Sequence, residues 1–280
     1  MNILIFIPAR YHSTRFPGKP LALLSGQSML QRVWKIALQA KHNCLQASQQ
    51  LSPTMSIDIL VGTEDQRIID HCVSHQMQAI LTTDQCDSGT QRAAIALNQT
   101  KHQADYIINL QGDNALCPPW FVESIIQSCI NTHTPSVITP YVKLDWAALD
   151  RLRTEKNTTP FSGTCVVMGK NQQAFWFSKN IIPAIRNEQQ LRATTAISPV
   201  ARHIGLYAYH QSILQDFNLY KPTEYETYEG LEQLKFLANA IPIQMVEVNY
   251  QGRTGMTGID SPEDLQRAET LIAIEGELTP

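Results

Sequence analysis

Ile3-Leu4-Ile5-Phe6-Ile7-Pro8-Ala9-Arg10-Tyr11-His12-Ser13-Thr14-Arg15-Phe16-Pro17-Gly18-Lys19-Pro20 opens the chain and decides its class. The apolar run from Ile3 to Ile7 predicts a buried parallel strand. Arg10, Arg15 and Lys19 follow it on one loop, with Ser13, Thr14 and Gly18 between them. Three cations so placed repel one another unless an anion sits among them. Open α/β sheets bind ligands at the C-terminal ends of their strands. The loop therefore predicts a polyphosphate site. That reading rests on charge and position, because GxxxxGK[ST] is absent. The plainer alternative is a solvated basic loop, but Pro17-Gly18 and Pro20 stiffen the segment and position the lysine.

The bulk composition frames this. The 280 residues suit one large α/β domain or one domain with a sizeable insertion. Apolar residues make up 43%, enough for a substantial core. With 17% charged residues and net charge -3, the chain lacks a nucleic-acid binder's balance. The six cysteines form no CxxC pair and predict reduced thiols in a cytoplasmic protein. Met1-Asn2 runs straight into the strand, so no signal peptide is expected. No apolar run approaches the roughly 20 residues that a membrane span needs.

Strands and helices alternate through the first half. Ser28 can cap a helix whose apolar stripe is Met29, Leu30, Val33, Ile36, Ala37 and Ala40. Strands are expected over 57–61, 79–82 and 106–110, with helices near 65–75 and 88–100. This order implies a parallel sheet with right-handed crossovers. The polar, Gln-rich stretch 42–56 is expected as a surface connection. From about 135 the pattern changes. Strands are expected over 137–142, 163–168, 174–178, 203–209 and 243–248, with a loop-rich stretch over 181–200. Helices are expected over 223–238 and 263–274, the latter capped by Ser261 with Pro262 at its first position.

Three further segments carry chemistry. Ser88-Gly89-Thr90 can start a helix with free N–H groups, and Arg92 sits in its first turn against the helix dipole. That cost points to a ligand contact; an exposed arginine beside an ordinary cap is the even alternative. Gln111-Gly112-Asp113 closes an apolar strand and places a carboxylate at the ligand crevice. Asp260, in Thr257-Gly258-Ile259-Asp260-Ser261-Pro262, is a second candidate carboxylate. Mg²⁺ takes one or two protein carboxylates with phosphate oxygens and water, which Asp113 and Asp260 satisfy if the fold unites them. Taken singly, each is more readily a turn or helix-start residue.

In order along the chain, these motifs resemble the 3-deoxy-manno-octulosonate (Kdo) cytidylyltransferase family. The matching set is Pro8-Ala9-Arg10-Tyr11, Ser13-Thr14-Arg15, Pro17-Gly18-Lys19-Pro20-Leu21, Ser88-Gly89-Thr90 with Arg92, Asn109 with Gln111-Gly112-Asp113, Phe177-Ser178 with Ile182-Pro183, Arg202-His203-Ile204-Gly205 with Tyr207 and Tyr209, Leu231-Glu232-Gln233-Leu234, and Thr257-Gly258-Ile259-Asp260 with Pro262-Glu263-Asp264-Leu265. The resemblance implies a mostly parallel, Rossmann-like nucleotidyltransferase sheet in an α/β fold, with a mixed or antiparallel extension over the sugar site. It implies one domain: a nucleotide-binding half over 1–134, a sugar-binding and dimerisation part over 135–250, and a returning metal-site loop with a C-terminal helix over 251–280. The implied reaction joins CTP to Kdo, giving CMP-Kdo and pyrophosphate for lipopolysaccharide synthesis. Ala9, Arg10, Ser13, Arg15, Lys19, Ser88, Gly89, Arg92 and Gln111 would bind the nucleotide. Asp113 and Asp260 would hold Mg²⁺. Arg186, His203, Tyr207, Glu232 and Gln233 would hold the sugar acid. Arg10, Arg15, Lys19, Asp113 and Asp260 would carry the catalysis, in a homodimer that binds neither nucleic acid nor membrane.

The chain departs from the family pattern mostly on the sugar side. Asn114-Ala115 replaces Glu-Pro, Cys165 replaces a lysine, and Ala184-Ile185 replaces Trp-Asp. The stretches 42–56 and 187–200 are longer than usual. These changes raise two alternatives: a modified acceptor, such as 8-amino-Kdo or another nonulosonic acid, and a catalytically silent nucleotide-binding paralogue. Retention of Arg10, Arg15, Lys19, Asp113 and Asp260 argues against the second.

Overall fold

The computed structural model describes residues 1–12, 16–48, 55–86, 88–100, 102–132, 134–255 and 258–280. They form two compact units, one of Met1–Pro135, Leu206–Phe217 and Tyr250–Pro280, the other of Ser136–Gly205 and Asn218–Asn249.

The first unit grows from β1 (Asn2–Pro8). Both of its side-chain sets are buried, Ile3, Ile5 and Ile7 on one face and Leu4 and Phe6 on the other. Only a strand covered on both faces tolerates that. The chain continues through short β2 (Leu23–Leu24) and β3 (Gln27–Ser28), then α1 (Met29–Ser48), β4 (Ser56–Thr63), α2 (Gln66–Ser74), β5 (Ala79–Leu81), α3 (Gly89–Thr100), β6 (Tyr106–Asn109) and α4 (Pro119–Asn131). β1 lies parallel between β4 and β6, and β5 pairs in parallel with β4. Ser28 caps α1 reciprocally: its hydroxyl accepts from Gln31 N–H at 3.1 Å while its own N–H donates to Gln31 Oε1 at 2.9 Å.

The second unit begins with β7 (Val137–Asp145), α5 (Trp146–Lys156), β8 (Thr164–Met168), β9 (Ala174–Ser178), α6 (Glu188–Thr194) and β10 (Ile197–His203). β11 (Tyr207–His210) and α7 (Gln211–Gln215) belong to the first unit, where β11 runs antiparallel to β6. α8 (Glu224–Glu229), α9 (Gln233–Ala238) and β12 (Ile243–Glu247) complete the second unit, and α10 (Pro262–Glu275) completes the first. In the second unit β7 pairs antiparallel with β10 and parallel with β12, and β8 pairs antiparallel with β10 and β9. The parallel first half and mixed second half are the arrangement that the sequence pattern implies.

Four expected elements differ. The connection expected over 42–56 is helical to Ser48, because no breaker precedes Pro53 and Asn43 Nδ2 donates to Glu123 on α4 at 2.7 Å. Residues 49–54 lie outside the described residues. The stretch expected as loop over 181–200 contains α6 and the start of β10. α6 shows no apolar stripe because charge holds it: Glu188 accepts from Arg153 on α5 at 2.7 Å and from Arg192 at 2.7 Å, and Arg192 also donates to Asp150 at 2.6 Å. The helix expected over 223–238 is two helices, since Gly230 at φ 62 ends α8 in the left-handed region. The strand expected over 203–209 ends at His203, and its second half is β11.

α10 is tied back to α1. Buried Arg32 donates to both carboxylate oxygens of Glu277, at 2.6 and 3.0 Å, and to Leu24 O at 2.7 Å. The turn after β6 is held against the end of β1. Gly112 N–H donates to Pro8 O at 3.2 Å, and a Cβ on Gly112 would stand 2.6 Å from that oxygen. Gly112→Ala should therefore force the two segments apart and destabilise by about 1–3 kcal/mol, the usual cost of overpacking. Thermal melting checks this, and an unchanged melting temperature would refute the close-approach argument.

Candidate active site

The ends of β1 and β6 and the start of α3 enclose a cavity of about 300 Å³ in the first unit. Ala9, Arg10, Lys19, Ser88, Gly89, Arg92, Gln111, Asp113 and Asp260 all line it. Ser13 and Arg15 lie outside the described residues, as does Thr257. Tyr207 lies on β11 in the first unit, its ring stacked on Tyr209 at 5.8 Å. Arg186, His203, Glu232 and Gln233 lie in the second.

Each cavity residue has a local cause. Ala9 N–H donates to Gly62 O at 2.9 Å, which continues the sheet one residue past β1. Lys19 begins a short 3-10 turn that Gly18 introduces. Ser88 caps α3, its hydroxyl accepting from Gln91 N–H at 3.2 Å, and so leaves Gly89 at the helix start. Asp260 precedes the cap of α10: Asp264 N–H donates to Ser261 Oγ at 3.2 Å, and Asp260 N–H donates to Asp264 Oδ2 at 3.0 Å.

Lys19 is the meeting point. Its Nζ donates to Asp113 Oδ2 at 2.8 Å and to Asp260 Oδ1 at 2.9 Å. Burial alone would lower the lysine pKa, but the charges and hydrogen bonds of Asp113 and Asp260 outweigh it and raise the value. The loop's repulsion problem is therefore solved in part within the chain. Two carboxylates that converge on one cation offer hard oxygen donors of the kind Mg²⁺ accepts beside phosphate oxygens and water. No group of three or more metal-ligating side chains exists among the described residues.

Arg92 is buried and paired, which corrects the reading of an exposed arginine beside an ordinary cap. Its side chain is 3% exposed, and its Nη2 lies 3.0 Å from Oε2 of Glu64, itself 6% exposed. Nη1 donates to Thr82 Oγ1 at 2.6 Å and to Thr83 O at 3.3 Å. The unfavourable dipole position is thus offset in part by a carboxylate of the chain, while Arg92 still lines the cavity. Sequence reasoning missed Glu64. Its one signal was an acidic residue at the C-terminal end of β4, the same topological position as Asp113 after β6.

In the second unit, His203 is buried. Its Nε2 lies 2.8 Å from the Thr139 hydroxyl, and its ring packs edge-on against Phe177 at 5.1 Å. Gln233 is buried, and its Nε2 has no hydrogen-bond partner among the described residues. Arg186 is exposed and Glu232 half-buried. Cys165 is fully buried, and Arg202 on β10 stands opposite it in register. Lys156 reaches this neighbourhood from α5 and donates to the carbonyls of Pro160, Ser162, Gly163 and Lys179.

The sequence profile of the family described as "Cytidylyltransferase" matches residues 4–244. The chain belongs to the cytidylyltransferase family. It is 39% identical over 279 residues to the 3-deoxy-manno-octulosonate cytidylyltransferase of Maricaulis maris, covering 99% of this chain and 100% of that one. It is 32% identical to the enzyme of the same name from Parabacteroides distasonis, over 98% of this chain and 99% of the relative. Its fold is similar to the solved CMP:2-keto-3-deoxy-manno-octonic acid synthetase complexed with CTP. That match has a TM-score of 0.79 and 29% identity, over 98% of this chain and 100% of that chain. No helix among the described residues is long and apolar enough to cross a membrane.

Burial, with a contribution from Lys179, pulls His203 down from 6.5 to about 3. The imidazole is neutral in the folded protein and gains its proton only on unfolding. Its contribution to stability is therefore complete above about pH 6.5 and is lost as pH falls toward about 3, at about 1.4 kcal/mol per pH unit. Unfolding by urea at pH 7, 5.5 and 4 should show this loss, and His203→Gln should flatten it. An equal pH dependence in wild type and variant would show that His203 titrates normally.

Proposed function

We propose that this protein transfers the cytidylyl group of CTP to Kdo, forming CMP-Kdo for lipopolysaccharide synthesis and releasing pyrophosphate. The observation that carries the reading is the Lys19 bridge between Asp113 and Asp260 beside a cavity lined by Arg10 and Arg92. Relatives matched over nearly their whole length bear the Kdo cytidylyltransferase name.

The anomeric hydroxyl oxygen of the sugar acid attacks the α-phosphorus of CTP. The bond from that phosphorus to the bridging oxygen breaks, and the hydroxyl proton is lost to solvent or buffer. Negative charge builds on the departing pyrophosphate, so positioning and positive charge supply most of the catalysis. Arg10 and Lys19, with Ser13 and Arg15, hold the phosphates. Ala9, Gln111 and the Ser88-Gly89 turn place the nucleotide, and Arg92 presents N–H donors to the O2 and N3 edge of cytosine. Asp113 and Asp260 hold Mg²⁺, which when bound stabilises charge on the phosphate oxygens. Arg186, His203, Glu232 and Gln233 hold the sugar acid, as does Tyr207 by the same motif. A neutral His203 offers a hydrogen bond rather than a charge, and Gln233 Nε2, buried with no partner among the described residues, is a donor open to an acceptor.

Pyrophosphate release should require both CTP and Kdo, with ATP and GTP far poorer donors. Chelation of divalent cations should abolish it. Asp113→Asn and Asp260→Asn should each lower kcat at least about a hundredfold, as loss of a metal ligand removes several kcal/mol of transition-state stabilisation. Activity that survives chelation, or variants within a few-fold of wild type, would overturn the metal assignment.

We also read the protein as a cytoplasmic homodimer. All six cysteines are free, as a reducing compartment permits. The second unit keeps Phe161, Phe175, Ile197, Leu219, Tyr225 and Tyr228 exposed, apolar side chains that a second copy of the chain would cover. Sedimentation equilibrium should give twice the 31.5 kDa chain mass. A monomer at micromolar concentration would refute this.

A further inference from the structure

We infer that Glu64 is a positioning residue that makes base recognition by Arg92 and placement of the phosphate loop one event; this rests on the cytidylyl-transfer reading. Its two carboxylate oxygens serve different segments. Oε2 lies 3.0 Å from Arg92 Nη2, and Oε1 accepts from Tyr11 N–H at 2.9 Å. Tyr11 directly follows Arg10, and its carbonyl accepts from Gly18 N–H at 2.9 Å, immediately before Lys19. One buried side chain thus links the arginine at the base end of the cavity to both ends of the loop that carries the cations.

The charge of Glu64 has a specific consequence. An Arg92 without a counter-charge is drawn to the nearest phosphate, because a buried cation seeks an anion before a neutral acceptor. Paired with Glu64 and held by Thr82 and Thr83, Arg92 keeps its place and its charge is met. Its N–H groups then suit the neutral O2 and N3 acceptors of cytosine. Uracil presents an N–H at N3 and is rejected by a fixed donor. The neighbouring residues reinforce the anchor: Asp65 accepts from Arg67 at 2.6 Å, and the Arg67 guanidinium lies over the Tyr11 ring at 3.4 Å.

The test is steady-state pyrophosphate release with CTP and with UTP, Kdo saturating, in wild type and Glu64 variants. Glu64→Gln keeps an acceptor for Tyr11 but removes the charge. It should raise KM for CTP about tenfold and lower the CTP-over-UTP preference by about the same factor, with kcat within about threefold. Glu64→Ala also frees Tyr11 and should lower kcat as well. An unchanged preference in Glu64→Gln, or equal losses on both nucleotides, would overturn the inference. If Glu64→Gln shows no cooperative melt, Glu64→Asp decides: it keeps the charge, so it should keep the preference while kcat falls, and a lost preference there would overturn the proposal. Wild type inactive with CTP and Kdo would instead sink the functional reading itself, and so the two failures are distinguishable.

Discussion

One ammonium group, the Nζ of Lys19, joins three segments that the chain keeps far apart. Asp113 follows β6, Asp260 precedes α10, and Lys19 ends the opening loop. The Lys19 side chain is 12% exposed, whereas Asp113 and Asp260 are 37% and 44% exposed. Solvent screens carboxylates that open, so the bridge adds little to stability. Its consequence is geometric. It holds two like charges together, and the surrounding fold fixes each one separately: Gly112 against Pro8, and Ser261 with Asp264 around the start of α10.

The elements legible in the sequence are those whose cause is apolar periodicity. β1, β4, β6 and α1 over its apolar stripe 29–40 show continuous or striped apolar runs, and the structure places them as expected. The elements that sequence reading misplaced have other causes. α6 exists through ion pairs with α5, which no single segment displays. The break between α8 and α9 depends on one glycine in the left-handed region. α1 outruns its apolar stripe because its last turns pack through Asn43 rather than through a hydrophobic face.

The cavity divides in the same way. Arg10, Lys19, Asp113 and Asp260 stand at strand ends or caps, positions that topology exposes to a ligand, and so sequence could nominate them. Glu64 stands at such a position too, but its importance lies in its partners, Arg92 and the Tyr11 amide, which are remote in sequence. The substitution of lysine by Cys165 shows the converse. It suggested a reshaped acceptor pocket, yet the thiol is fully buried and Lys156 supplies a cation to the same neighbourhood from α5. Burial, opposed by the Ile182 amide and by Lys156 and Arg202, keeps that thiol above its ordinary pKa, so it adds no charge there.

The cavity's own charges leave a polyphosphate largely uncompensated. Among the described residues at this site, Arg10, Lys19 and Arg92 face Asp113, Asp260 and Glu64, three cations against three carboxylates. Arg92 is matched by Glu64, and Lys19 is shared between two acids. Among the described residues here, Arg10 alone brings an unshared charge to a polyanionic triphosphate, beside the shared Lys19 and with Arg15 the one further cation on the loop. A single guanidinium, or two, leaves most of the phosphate charge unmet in a partly enclosed site where water screens poorly. The excess of carboxylate around Lys19 would repel the nucleotide if it acted alone. A divalent cation held by Asp113 and Asp260, as proposed above, would reverse that sign by supplying positive charge next to the phosphates.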